Sequence, residues 1–150
     1  MSEVTINRRQ AVRAAAGVAA GGLLVAGAGV GSAAADSGSL LGSWLIHYED
    51  ADGNKGLAVA SIVDNGIFIT NEIRPAGSVG TGSWEDKGDD KFKATAWNSN
   101  AADDTSGKLE VWGKHKDGKI SGKFKVTFYD SDGNEVGTLE GTFWGEPLEA

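Results

Sequence analysis

The sequence predicts an all-β protein, an eight-stranded antiparallel up-and-down β-barrel that follows a cleavable leader. Three observations carry this prediction. Apolar residues come in short runs that often alternate with polar residues, Asp-Gly and Asn-Gly pairs punctuate the runs, and no segment keeps a helical apolar period over several turns. Such pairs favour the tight turns of β-hairpins, because Gly and Asn tolerate the positive φ that these turns need.

Residues 1–35 are typical of an export signal. A basic segment containing Arg8, Arg9 and Arg13 precedes a run of Ala, Gly, Val and Leu, and Ala-Ala-Ala at 33–35 offers the small-residue cleavage pattern. The paired arginines resemble the bacterial twin-arginine signal. The general secretory route and an uncleaved anchor are the alternatives, and the anchor is disfavoured because Ala and Gly contribute little transfer energy. We therefore expect a secreted protein, cleaved after Ala35, whose one mature domain spans 36–150.

Turn signals divide this mature domain into eight segments. The Asp-Asn-Gly turn after the second segment is the strongest hairpin signal, and a loop containing Pro75 follows the third. The turns are expected at 52–54, 64–66, 75–80, 87–90, 98–106, 116–119 and 132–134, and the strands at 41–49, 56–63, 67–73, 81–86, 91–96, 108–114, 120–128 and 135–144.

Alternation within the strands assigns one face to the interior. In the first strand Trp44, Ile46 and Tyr48 share a face, and His47 lies on the other. The second strand is almost wholly apolar, and the seventh shows the clearest alternation. On the later strands the expected inward residues are Phe92, Ala94, Ala96, Leu109, Val111, Gly113, Ile120, Gly122, Phe124, Val126, Phe128, Leu139 and Phe143.

Eight sequential strands would leave two long edges in an open sheet. Closure into a barrel removes both edges, and eight strands enclose an interior that side chains just fill or that holds one small ligand. A two-sheet sandwich is the alternative, since periodicity does not report closure.

A Gly-x-Trp pattern opens the first strand at Gly42 and Trp44, and it recurs in the fourth strand at Gly82 and Trp84. An early Gly-x-Trp before an eight-stranded meander resembles the lipocalin and avidin-like barrels known as calycins. This resemblance implies that Gly42, Trp44 and Trp84 close one end of the barrel while the other end admits an apolar ligand. The last strand lacks the Arg usual in lipocalins, so the prediction concerns lipocalin-like architecture and not lipocalin membership.

The segment 129–137, with Gly141 beyond it, resembles a hairpin of allene oxide cyclase-type barrels. Some members of that family act as cyclases on natural products. The resemblance implies a cofactor-free cyclase or isomerase, in which the barrel folds a reactive polyene into a near-attack shape.

Composition and motifs exclude several function classes. Cysteine is absent, so no disulfide, thiolate nucleophile or Cys-ligated zinc is expected. Without the leader, the net charge is more negative than the −7 of the whole chain. Such a surface disfavours nucleic acid and anionic membranes. The two Asp-x-Asp-Gly-Asn turns lack the features of an EF-hand, and no hydrolase or phosphate-binding motif occurs. No cofactor and no metal are predicted.

The candidate ligand-binding residues combine an inward apolar lining with a polar rim. Arg74 is the best polar anchor available for a carboxylate or phosphate and is kept as a candidate, although a surface ion pair with Glu72 is the favoured interpretation of its position. His115 is expected to be a solvated turn residue, with a rim acid/base role as the alternative. The predicted site comprises Tyr48, Arg74, Phe92, Ala96, Asn98, Val111, Phe124 and Phe128.

Three functions follow from these features. The leading prediction is a secreted barrel that binds a small apolar or amphipathic molecule, because Ala94, Ala96, Gly113 and Gly122 would leave space inside. The second is the cyclase or isomerase, with Tyr48, Glu72 or His115 acting on the substrate. The third is a secreted interaction module with a packed interior that uses exposed Trp97 or Trp144.

Overall fold

The computed structural model describes residues 39–100 and 102–149. The predicted leader at 1–35, its arginines Arg8 and Arg9, and the cleavage site after Ala35 lie outside these residues. In the described part of the chain, no helix is both long enough and apolar enough to span a membrane.

Eight antiparallel strands form a closed barrel in which each strand pairs with its neighbours in sequence and β8 pairs with β1. The predicted fold class is therefore confirmed. Pairing of Trp44 through Asp50 with Gly141 through Pro147 closes the sheet and rules out the two-sheet alternative. The strands are β1 (Gly42–Asp50), β2 (Lys55–Val63), β3 (Ile67–Arg74), β4 (Val79–Gly88), β5 (Lys91–Asn100), β6 (Thr105–Lys116), β7 (Lys119–Tyr129) and β8 (Glu135–Pro147).

The prediction of a long polar loop at 98–106 is wrong. Strand β5 continues to Asn100, and β6 begins at Thr105. Asn98 pairs with Gly107, and Asn100 pairs with Thr105. Strand pairing is a backbone interaction, so polar side chains near the barrel end do not stop it. Strands β5 and β6 are therefore longer, on the side of the turn that connects them, than the sequence indicated.

Two acidic turns adopt the same structure. At the end of β1, Asp50 Oδ1 accepts hydrogen bonds from the backbone N–H groups of Asp52 and Asn54, each at 2.9 Å. After β7, Asp130 Oδ1 accepts equivalent bonds from Asp132 at 3.0 Å and from Asn134 at 2.8 Å. These carboxylates therefore act as local turn acceptors, which accounts for the repeated sequence.

The two barrel ends differ in packing. Trp44 is 0% exposed near the start of β1, and its indole N–H donates to the backbone oxygen of Leu40 at 3.0 Å. Leu40 and Leu41 pack against the core at this end. We call it the packed end, and we call the opposite end, where the β1–β2, β3–β4, β5–β6 and β7–β8 turns lie, the turn end.

Candidate functional site

The barrel encloses a cavity of about 480 Å³ that extends from the interior to the turn end. Its wall is largely apolar and includes Ile46, Ile62, Phe68, Val111 and Phe124. Polar residues from three segments near the turn end also line it: Asp50, Asn54, Lys55, Glu72, Ser78 and Asn98. The volume lies within the range of small-molecule sites, and an apolar cavity with few polar groups is their usual form.

Most of the predicted lining residues meet at this cavity. Six contribute to its wall: Tyr48, Phe92, Ala96, Asn98, Val111 and Phe124. Leu139 and Phe143, the expected inward residues of the last strand, also line it. Phe128 does not, and instead borders a separate void of about 10 Å³.

Arg74 lies outside the cavity and is exposed. Its position results from a register shift between β2 and β3, where Ala58 pairs with Glu72 but Leu57 pairs with Arg74. The extra residue, Ile73, moves Arg74 from the inward series to the register of the outward-facing Leu57. Among the described residues Arg74 forms no ion pair with Glu72, so neither of its two predicted roles corresponds to its position.

Tyr48 and Glu72 form the main polar pair of the cavity. The Tyr48 hydroxyl donates a hydrogen bond to Glu72 Oε1. Burial raises the pKa of Glu72 above its ordinary value of 4.5, and the bond from Tyr48 opposes this change. The pKa of Tyr48 is raised well above its ordinary value of 10.0, mainly by burial and further by the hydrogen bond to Glu72 and by the charge of Glu72. The pair therefore places a carboxyl group in a poorly hydrated site.

Two glycines leave room for this pair. A Cβ added at Gly56 would overlap the Tyr48 ring and hydroxyl, and a Cβ at Gly77 would overlap the Glu72 side chain. The Gly77 N–H also donates to the Glu72 backbone oxygen at 3.2 Å, which holds the β3–β4 turn over the carboxyl group. Sequence reasoning missed both glycines, because their role depends on contacts between segments.

Asn98 and Ser78 connect β5 to the β3–β4 turn. The Asn98 side-chain N–H donates to Ser78 Oγ at 2.6 Å, and both residues line the cavity. A Cβ at Gly107, which pairs with Asn98, would approach Asn98 Oδ1 too closely. The bond fixes the turn beside the cavity and leaves the amide oxygen of Asn98 as an acceptor.

The small inward residues create space at only some of their positions. Ala96 lines the cavity, together with Ala58, Ala60 and Gly80. At Gly113, however, the ring of Phe92 fills the place of a side chain. At Gly122 the backbone of β6 approaches closely, with the Gly113 Cα 2.8 Å from an added Cβ. The expectation that Gly113 and Gly122 leave open space is therefore wrong, because neighbouring atoms occupy it.

The expected barrel-closing residues all lie at the packed end. Gly42 has a φ of 132°, in the region that favours glycine, immediately before Ser43 and Trp44. The Trp84 indole N–H donates to the backbone oxygen of Val63 at 2.8 Å. Neither tryptophan lines the cavity, so both rings lie in the packed layer beneath it.

The two histidines occupy different environments. The His47 ring stacks on Trp144 on the outer face, with centroids 3.9 Å apart, and its Nε2 lies 3.7 Å from Glu146. His115 is half-buried at the packed end, where its ring lies edge-on to Trp44 at 5.6 Å. The expected solvated turn position of His115 is therefore wrong, because the Trp44 ring covers it.

Comparisons with known proteins add no family assignment. No protein-family model matches the chain, and no curated protein matches it at a significant level. Within 39–100 and 102–149, no group of three or more Asp, Glu or His side chains is arranged to hold a metal ion. The eight-stranded closed barrel is consistent with a lipocalin-like or calycin architecture.

Proposed function

We propose that the mature domain is a secreted barrel that binds one small apolar or amphipathic molecule. The observation that carries this proposal is the cavity of about 480 Å³, whose wall is apolar and whose polar groups are concentrated toward the turn end. The apolar part of a ligand would replace water along the wall, at about 25 cal/mol for each Å² removed from solvent. Its polar end would meet Tyr48, Glu72 or Asn98.

Native mass spectrometry with decanol tests this function. Decanol combines an apolar chain with one uncharged hydroxyl, so it matches the cavity without depending on charge. We expect a complex with one decanol molecule for each chain, which dissociates when the barrel is denatured. Absence of a saturable complex with decanol or with matched amphiphiles would contradict the proposal.

A cofactor-free cyclase or isomerase is the second candidate, and the Tyr48–Glu72 pair is the observation that favours it. Burial raises the pKa of the Glu72 carboxyl, and a carboxyl with a raised pKa in a cavity is a common form of catalytic acid or base. Turnover of a polyene panel by the wild type, with loss in Glu72→Gln, would support catalysis. Binding without turnover would leave the carrier function as the better account.

A secreted interaction module with a packed interior has less support. Trp97 and Trp144 are 49% and 46% exposed, which suits a surface role. However, Trp97 already stacks on Tyr129 and Trp144 on His47. The interior also contains the cavity, whereas this function requires none.

A further inference from the structure

We infer that the cavity selects amphiphiles by the charge of the polar end, taking a protonated amine in preference to an uncharged alcohol and rejecting a carboxylate. This inference rests on the proposed binding function and names the ligand class for the same site. It follows from the position of Glu72 and from the charges around the turn end.

The first argument is that the inner cavity wall carries an acid without a matching base. Glu72 lines the cavity, and its described side-chain partner is the uncharged hydroxyl of Tyr48. Lys55 is the one cationic side chain among the described lining residues. It is 77% exposed at the rim, and its Nζ lies 3.7 Å from Glu49. A cationic ligand would therefore provide Glu72 with a partner that the protein does not supply.

The second argument is the electrostatic balance of the turn end. Carboxylates outnumber cations in the four connecting segments and at the strand residues that flank them. The acids are Asp50, Asp52, Asp103, Asp104, Asp130, Asp132 and Glu135, and the bases are Lys55 and Arg74. Such a field attracts cations to the entrance and repels anions.

The third argument concerns the cost of burying charge. Burial penalises the ionised form of Glu72, which raises its pKa. A protonated amine beside Glu72 would offset this penalty by forming a charge-assisted hydrogen bond. A second carboxylate in the same apolar space would increase the penalty. An alcohol falls between the two because it can hydrogen-bond to the pair without carrying charge.

The test compares decylamine, decanol and decanoate at neutral pH by calorimetric titration of the mature domain. The three probes share one chain length, so differences in affinity report the polar end. We expect decylamine to bind about tenfold or more tightly than decanol, and decanoate to bind most weakly. We also expect added salt to reduce this preference, since screening weakens attraction at the entrance.

The variants Glu72→Gln and Glu135→Gln separate the cavity from the surface. Glu72→Gln should lose most of the preference for decylamine over decanol, whereas Glu135→Gln, at a residue outside the cavity lining, should keep most of it. Decanol should displace decylamine, as expected for one shared cavity.

Equal affinities for the three probes, or tightest binding of decanoate, would overturn the inference and leave the binding function standing. If none of the probes binds the wild type, the proposed function itself fails and the inference fails with it. Should Glu72→Gln not fold, the order of the probes on the wild type decides the inference.

Discussion

Two alanines on one strand face provide a direct test of the cavity. Ala94 and Ala96 are each 1% exposed and both point into the barrel from β5, yet Ala96 lines the cavity and Ala94 does not. Leu at either position adds the same volume. Its effect on the free energy of unfolding should therefore depend on whether space exists beside the position.

The expected signs are opposite. In Ala96→Leu the added carbons enter the cavity, where each buried methylene-sized group contributes roughly 0.8 kcal/mol, or up to about 2 kcal/mol in all. The lost rotamer freedom of Leu costs about 0.5–1 kcal/mol, so the net change should be a gain of about 1 kcal/mol. In Ala94→Leu the side chain meets Trp84 of the packed layer on the paired strand β4, and overpacking costs about 1–3 kcal/mol.

Urea denaturation of the wild type and both variants measures these changes. Decanol binding should weaken in Ala96→Leu, because the added side chain takes up ligand space. It should persist in any folded Ala94→Leu protein. Equal destabilisation of the two variants would show that no usable space lies beside Ala96 and would refute the reasoning.

Three further predictions concern the barrel wall and the polar pair. Gly122→Ala should lower the free energy of unfolding by about 1–3 kcal/mol, because β6 backbone lies against the added methyl. Its control, Gly137→Ala, meets nothing within 4 Å and should not destabilise, so equal losses on urea denaturation would contradict the account. Because the pKa of Glu72 is raised above 4.5 in the folded protein, the wild type should lose free energy of unfolding as pH increases above 4.5. Glu72→Gln lacks this carboxyl, so its stability relative to the wild type should rise over the same pH range. A difference independent of pH would argue against a buried Glu72. Above pH 10.0 the wild type should lose stability more steeply than Tyr48→Phe, because unfolded Tyr48 ionises there while the folded protein holds the proton; parallel pH profiles would refute this.

The fold could be predicted because local and global signals agree. The alternating segment from Ile120 to Phe128 lies within β7. The predicted turn at Asp64-Asn65-Gly66 connects β2 to β3. Closure also followed from a physical argument about unpaired edges. The ends of β5 and β6 could not be predicted well, because the polar residues there retain backbone pairing.

The cavity was only partly predictable, for reasons specific to each residue. Strand alternation placed Tyr48 and Val111 inside without further information. Arg74 was misplaced because the bulge near Ile73 reverses the alternation, and nothing in the local sequence reports a bulge. The space expected at Gly113 is filled by the aromatic ring of Phe92 from the neighbouring strand. The periodicity of the sequence does not report such a contact.

The most direct test of a ligand-binding interior is a methyl NMR titration of the protein with decanol. We predict saturable shifts, with one molecule bound for each chain, at Val111 and Leu139, which line the cavity, and none at Ile67, which is 47% exposed. Shifts at Ile67 without shifts at Val111 and Leu139 would contradict the account. So would the absence of a saturable shift at both Val111 and Leu139.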